Sequence, residues 1–456
     1  MALRIEDLVA DLLAKGADDA PFLSHRHTVT LGELREAVAA EARVFAASGV
    51  RRGSTVVLQS PPSFTQVQAL LALWSLGAQV MLVEPRLAPA ELEALRARCR
   101  AQFVVRAGNA GRKLVRFRER FELVTSTHAD GVAASTDHCL VQFSSGSTGL
   151  PKVIARTAES LRTEVDVFNR LPDLPVAGQK VLLLSSTSHS FGVVFGILRS
   201  LDVGVHLVFS TQESGQDIAG TAAEHGVVGI TGLPLHFAAL NEVEHPPALP
   251  DLRWVLSGGE LIQREVEQRF TELYGLPIGQ GYGTTETGIL TMDVTGRSRP
   301  SVGPVCGGVR LRVRDGQVEV GMDGSPYLVE PAKANYRDGW WRTSDRGELT
   351  DDGLLTLHGR ADSLVIFGGN NIDLLEIEDV LRAHPMVDEA IVVFDGAVEA
   401  YVATTSDELD EAAVTGWCAA RMADFKQPSV VRVLRKLPRT PNGKLVRDRS
   451  VLAGTP

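Results

Sequence analysis

From Leu140 to Lys152 the chain reads LVQFSSGSTGLPK, a set of residue types suited to holding a polyphosphate. Gly146 and Gly149 carry no Cβ and let the backbone approach a ligand closely. The hydroxyls of Ser144, Ser145, Ser147 and Thr148 and the N–H groups of the turn can donate to phosphoryl oxygens. Lys152 adds a positive charge at the rim. A Walker A loop has Gly directly before its Lys and a hydroxyl directly after it. Here Pro151 and Val153 hold those places, which disfavours a kinase or P-loop ATPase. A flexible Ser/Gly linker would share this composition, and it is the downstream segments that argue against one.

The second constellation is Gln280 to Gly288, QGYGTTETG. Tyr282 can stack on adenine, Thr284 and Thr285 offer hydroxyls to a phosphate, and Glu286 is a lone carboxylate suited to Mg²⁺; Gly281 and Gly283 flank the ring. Upstream, Ser257-Gly258-Gly259-Glu260 follows a strand-like run, and its paired glycines would let a flat ring pack on the backbone.

Together these segments resemble the adenylate-forming superfamily, which includes acyl-CoA synthetases, adenylation domains of peptide synthetases and beetle luciferases. The first matches its phosphate-binding signature, with Val153 where the family usually has Gly, and the second matches its GYGxTE signature about 130 residues later. Further landmarks follow in the family's order. They are Val302-Gly-Pro304; Trp340 to Asp345, matching W-x-x-T-G-D with Ser344 in place of Gly; Leu357 to Ser363; VIFGGNNIDLLEIEDVL; and PRTPNGK ending at Lys444. The resemblance spans about residues 30 to 450.

What the resemblance implies can be stated residue by residue. Ser144, Ser145, Gly146, Ser147, Thr148, Gly149 and Lys152 would cradle the phosphates of ATP. Gly258, Gly259, Glu260, Gly281, Tyr282, Gly283 and Thr284 would lie against adenine and the α-phosphate. Asp345 would accept hydrogen bonds from the ribose hydroxyls, and Arg360 would contact phosphate or ribose. Thr285, Glu286, His189 and Lys444 would be the catalytic set, with Glu286 the Mg²⁺ ligand and Lys444 bridging the acid and the α-phosphate. His189, Ser190, Phe191, Val194, Leu233 and Gly258 would line the acid pocket, and Phe195 would add to its apolar wall. Asp362 would be the hinge of a small carboxy-terminal domain, and Gly368 and Gly369 would line the path of a thiol.

The elements needed to position these residues are legible from periodicity. Helical spacing predicts helices at Ile5 to Gly16, Thr30 to Ser48, Phe64 to Leu76, a stretch up to Cys99, Ile372 to Leu381 and Leu409 to Met422. Apolar runs predict strands at Thr55–Gln59, Val80–Val83, Cys139–Phe143, Val181–Leu184, Gly226–Ile230, Arg253–Leu256, Glu389–Val393 and Glu399–Thr404. The alternation predicts an α/β fold. Its strands are expected to form mostly parallel sheets flanked by helices. The resemblance implies that these belong to a large amino-terminal domain, residues 1–359, with a β-rich subdomain from Arg310 to Tyr336, and that a small, mobile α+β domain, residues 360–456, follows.

Composition narrows the rest. With 456 residues and 44% hydrophobic content the chain can bury a large core, and a net charge of −10 argues against a general nucleic-acid or anionic-membrane binder. Cys99, Cys139, Cys306 and Cys418 are scattered and read as reduced, packed residues. No signal-peptide pattern and no apolar run of membrane-spanning length is visible, so a cytoplasmic location is expected.

The expected activity is therefore an ATP- and Mg²⁺-dependent ligase that adenylates a carboxylic acid and passes the acyl group to a thiol. The GGNNI segment favours CoA as that thiol; a carrier-protein phosphopantetheine or a non-thiol nucleophile is the alternative acceptor, and a non-catalytic nucleotide sensor is the alternative of another class. Peptide-synthetase domains commonly carry Asp where Ser190 stands, so an aromatic or medium aliphatic acid is expected rather than an α-amino acid. Either a monomer or a homodimer is compatible with the sequence.

Overall fold

The computed structural model describes residues 2–108, 117–144, 152–211, 214–329, 335–360, 363–438 and 445–454, the side chains of Ser144 and Arg360 excepted. Among the described residues the strands form five sheets. One six-stranded sheet runs in the order Leu123–Thr127, Phe103–Ala107, Thr55–Gln59, Gln79–Leu82, His138–Ser144, Lys152–Thr157. Its inner pairs are parallel and both outermost strands are antiparallel. An eight-stranded sheet runs in the order Gly288–Asp293, Gly279–Thr284, Trp254–Ser257, Gly229–Gly232, Lys180–Leu183, His206–Val208, Pro21–Ser24, Thr28–Thr30. Six of its strands are mutually parallel, and an antiparallel strand closes each end. Parallel strands joined by helices read as unbroken apolar runs because both faces are covered, which is why Thr55–Gln59 and Lys180–Leu183 were recognisable from composition alone.

The two sheets share one core. Val56, Leu58, Val80 and Leu140 from the first and Val181, Leu183, Leu207 and Leu256 from the second are all buried in it. Helix Phe64–Ser75 lies within that core with buried residues all round its circumference, and the Trp74 indole donates to the carbonyl of Cys139 at 3.0 Å. Helix Leu31–Ala47 starts at a capping box: Glu33 N–H donates to the Thr30 hydroxyl while the Glu33 carboxylate accepts from Thr30 N–H. A third, antiparallel sheet is built from Leu311–Arg314, Gln317–Gly321, Tyr336–Arg337, Trp340–Leu349 and Leu355–Arg360.

After Ser363 a separate core forms. The hairpin Leu364–Phe367/Asn370–Asp373, the three-stranded sheet Glu389–Phe394, Val398–Ala403, Val430–Leu434 and the helices Leu374–Arg382 and Glu411–Arg421 bury Ile372, Ile377, Leu381, Val392 and Val402 together. Here one expectation is corrected. The helix expected from Ile372 starts instead at Leu374, and Asn370–Asp373 is a strand. Gly368 and Gly369 both have positive φ, +56° and +74°, the geometry of a two-residue hairpin turn. Asp373 then accepts from Leu375 N–H at 2.9 Å and caps the helix. The four cysteines are free, three of them buried, and among the described residues no helix is long and apolar enough to cross a membrane.

Candidate active site

The phosphate-loop candidate begins at the end of His138–Ser144 and ends at the start of Lys152–Thr157, strands that pair antiparallel with Ser144 opposite Lys152. The sequence shows only the first of these two strands. Ser145, Gly146, Ser147, Thr148 and Gly149 lie outside the described residues, as do Asp362 and Lys444 and the side chains of Ser144 and Arg360. The GYGTTE segment is a second hairpin, Gly279–Thr284 paired with Gly288–Asp293, with Thr285 and Glu286 in its turn.

Two contacts hold these hairpins against each other. Lys152 Nζ stands 6.0 Å from the centre of the Tyr327 ring, and the Tyr327 hydroxyl donates to Glu286 Oε1 at 3.3 Å. Below them, Arg156 on the strand leaving the first hairpin donates to Glu164 Oε2 at 3.0 Å, and Glu164 Oε1 accepts from Ile289 N–H of the second hairpin at 2.9 Å. Arg156 and Glu164 are each only 6% exposed, so this strut is a buried ion pair with an added hydrogen bond.

Glu286 is 7% exposed. Burial pushes its carboxyl above the ordinary value, and hydrogen bonding and the Lys152 charge pull against that. A buried carboxylate short of positive charge fits a hard cation that takes its remaining ligands from phosphate and water, the usual Mg²⁺ arrangement. Among the described residues no group of three or more His, Cys, Asp or Glu could hold a metal.

Tyr282 and Asp345, 63 residues apart, meet directly: the Tyr282 hydroxyl donates to Asp345 Oδ2 at 2.7 Å. Asp345 N–H donates to the Thr343 hydroxyl at 3.0 Å, and Ser344 between them has φ +68°. That left-handed conformation accounts for the glycine that the W-x-x-T-G-D pattern carries at this place. Gly258 and Gly281 are backbone neighbours, since a Cβ on Gly258 would stand 4.0 Å from the Gly281 carbonyl.

A cavity of about 380 Å³ opens between the large unit and the carboxy-terminal one; Gln142, His189, Thr285, Asn370 and Asn371 line it. The His189 side chain keeps 48% of its surface, facing this cavity, and its Nε2 is 3.7 Å from Glu84 Oε2. Burial pushes the imidazole below its ordinary value, with Glu84 opposing and Arg86 assisting. Ser190 donates to Gln142 Oε1 at 2.8 Å, and Gln142 Nε2 donates to the Ser188 carbonyl at 2.9 Å.

The remaining acid-pocket candidates divide. Leu233 lies against Gly369, where an added Cβ would meet its Cδ1 at 2.5 Å, and close to Gly259. Val194 and Phe195 are packed into the main core, and Phe191 stacks on Phe195 with ring centres 4.8 Å apart. None of those three borders the cavity. Gly369 N–H donates to Glu260 Oε1, so the carboxy-terminal hairpin tip touches the adenine-site candidates. Sequence reasoning missed Tyr327, Arg156, Glu164, Glu84 and Arg86. It also missed Gln142, whose signal was visible as a polar residue within an apolar strand.

Residues 12–326 match the family model described as AMP-binding enzyme, and residues 376–444 match the AMP-binding enzyme C-terminal domain. Sulfoacetate–CoA ligase of Cupriavidus necator is 28% identical over 97% of this chain and 97% of its own. A 4-chlorobenzoate–CoA ligase of an Arthrobacter species is 27% identical over 92% of this chain and 89% of its own. The o-succinylbenzoate CoA synthetase of Bacillus subtilis, solved as a double mutant with its product analogue OSB-NCoA, has the same fold. Its TM-score is 0.82 at 24% identity, covering 96% of this chain and 97% of that one.

Proposed function

The chain belongs to the AMP-binding enzyme family, and on that premise we propose that it is an ATP-dependent acid–thiol ligase using CoA. A carboxylate oxygen attacks the α-phosphorus of ATP, the bond to the β-phosphate breaks and pyrophosphate leaves. The thiol of CoA then attacks the acyl carbon, the bond to AMP breaks, and the thioester and AMP are released. The observation that carries this reading is the Lys152–Tyr327–Glu286 contact, which supports a single phosphate site shared by the two motif hairpins.

In this reading the chain divides near residue 360. Ser144 to Gly149 and Lys152 hold the phosphates, Thr148 and Thr285 donate to oxygens on the α-phosphorus, and Tyr282 and Asp345 hold adenine and ribose. Glu286 would hold Mg²⁺, which when bound would offset the charge of the phosphate oxygens. Lys444 bridges the acid and the α-phosphate, leaves as the small unit turns about Asp362, and is replaced at the site by the Gly368–Gly369 turn. His189 beside the acid site can hydrogen-bond the carboxylate. Ser190 in place of an acidic residue supports an acid lacking an α-ammonium group, aromatic or medium aliphatic.

Acid-dependent exchange of pyrophosphate into ATP, screened over carboxylic acids, tests the first half-reaction. Exchange with at least one such acid is the expected result, and none across the set overturns the assignment. Offering CoA, a phosphopantetheinyl carrier protein and amines to the loaded enzyme tests the second; no thioester with free CoA removes CoA as the acceptor.

A further inference from the structure

Where the carboxy-terminal unit meets the large one, the contact is charged and buried. Lys426, 8% exposed, donates to Glu376 at 2.7 Å and to Glu91 at 3.2 Å. Glu376 sits on Leu374–Arg382, in the same unit as Lys426, whereas Glu91 belongs to helix Pro89–Cys99 of the large unit. Burial alone would push the Lys426 ammonium down, but the two carboxylates outweigh it and hold it above its ordinary value. Burial pushes the Glu91 carboxyl up, with Lys426 pulling against it. Close by, Arg86 Nη2 donates to Asn370 Oδ1 at 3.3 Å, and its guanidinium stands 4.9 Å from the centre of the Phe425 ring.

Buried ion pairs contribute little net stability, yet an arrangement that removes one partner is strongly disfavoured, so they discriminate between arrangements. This cluster can divide without leaving a bare buried charge. On separation Lys426 keeps Glu376. Glu91 keeps the N–H of Ala88, at 2.9 Å, in the first turn of a helix whose N-terminus favours negative charge. The cross-unit contact is thus suited to forming and breaking once per cycle.

We propose that Glu91 is a positioning residue for thioester formation, latching the carboxy-terminal unit through Lys426 in the arrangement that seats the Gly368–Gly369 turn on Leu233 and Glu260. The proposal rests on the two-step ligase reading above. Glu91→Gln is the informative variant, because an amide oxygen can still accept from Ala88 N–H while the ion pair is lost. Transfer from preformed acyl-adenylate to saturating CoA should fall roughly tenfold or more while acid-dependent pyrophosphate exchange stays within about twofold. Glu376→Gln, which leaves Glu91 and Lys426 as a neutral pair, should keep transfer. Equal losses in both half-reactions, undiminished transfer, or a change confined to KM for CoA would each overturn the proposal.

A readout free of chemistry separates the latch from the acceptor assignment. Dyes at the exposed positions Ala97 and Ala412, one on each unit, report their separation. Glu91→Gln should lower the fraction of molecules at short separation, and an unchanged distribution sinks the latch. Wild-type protein that makes no thioester with CoA but loses short separations on Glu91→Gln shows instead that the acceptor was wrong and the latch right.

Discussion

Glu286 is a carboxylate taken out of water beside one lysine and one tyrosine, and its raised pKa has a definite sign in stability. Between its ordinary and raised values the native protein holds a proton that the unfolded chain has lost. Its contribution therefore falls as pH rises through that interval. Denaturant titrations of the ligand-free protein from mildly acid to neutral pH should show this slope in the wild type and a flatter one in Glu286→Gln. The same variant should lower acid-dependent pyrophosphate exchange by about a hundredfold, because the charge of the phosphate oxygens loses its counterpart. Ser344 carries a cost of a different kind: at φ +68° its Cβ crowds the backbone. Ser344→Gly should raise stability by about 1 kcal/mol in urea denaturation, with ribose-site function kept.

At the scale of elements, function depends on two hairpins meeting and on a third arriving. The Arg156–Glu164–Ile289 strut sets the register between the first two. Glu164→Ala leaves a buried guanidinium and a buried N–H without their acceptor and should cost about 3–5 kcal/mol by chemical denaturation, whereas Glu164→Gln should cost less. The third hairpin ends in Gly369, where φ is +74° and a Cβ would come within 2.5 Å of Leu233 Cδ1. Gly369→Ala should therefore displace the tip and slow transfer to CoA while leaving pyrophosphate exchange in place, measured as the two half-reactions separately. Leu233→Ala combined with it should restore transfer only in part, since the backbone strain remains.

Over the whole molecule, buried histidines set the acid limit of stability. Burial pushes His206 and His236 down to about 4; neighbouring positive charges add to the effect at His206. His206 Nε2 is hydrogen-bonded to the Ser24 hydroxyl at 2.8 Å, tying adjacent strands of the eight-stranded sheet, and His236 Nδ1 accepts from Leu233 N–H at 3.0 Å. The unfolded chain binds protons below its ordinary histidine pKa that the native rings refuse. The stability these neutral rings contribute is whole above about 6.5 and is lost as pH falls toward 4, at most about 3 kcal/mol for each. Melting temperatures should fall over that interval, and His206→Asn should fall less steeply than the wild type. The same acid range should loosen the backbone at Leu233, which carries the Gly369 contact.

Order along the chain, motif identity and the α/β class were readable because each rests on local facts. Unbroken apolar runs mark strands covered on both faces, Thr30 marks a helix start, and glycines and hydroxyls mark a phosphate loop wherever it is placed. Helical spacing from Ile372 puts the carboxy-terminal helix two residues early, because only the pairing of Asn370–Asp373 with Leu364–Phe367 shows that those residues continue a hairpin. Tyr327, Glu164 and Arg86 left no trace in the sequence, since a tyrosine in a β-rich segment or a glutamate on an amphipathic helix looks the same whether it faces water or a partner 125 residues away. Residue type and short-range spacing thus determined which chemistry this chain carries. Which side chains hold that chemistry in place, and that Glu91 meets Lys426 across two units, was decided only by the tertiary structure, because long-range packing brings together charges that nothing in their own neighbourhoods requires to meet.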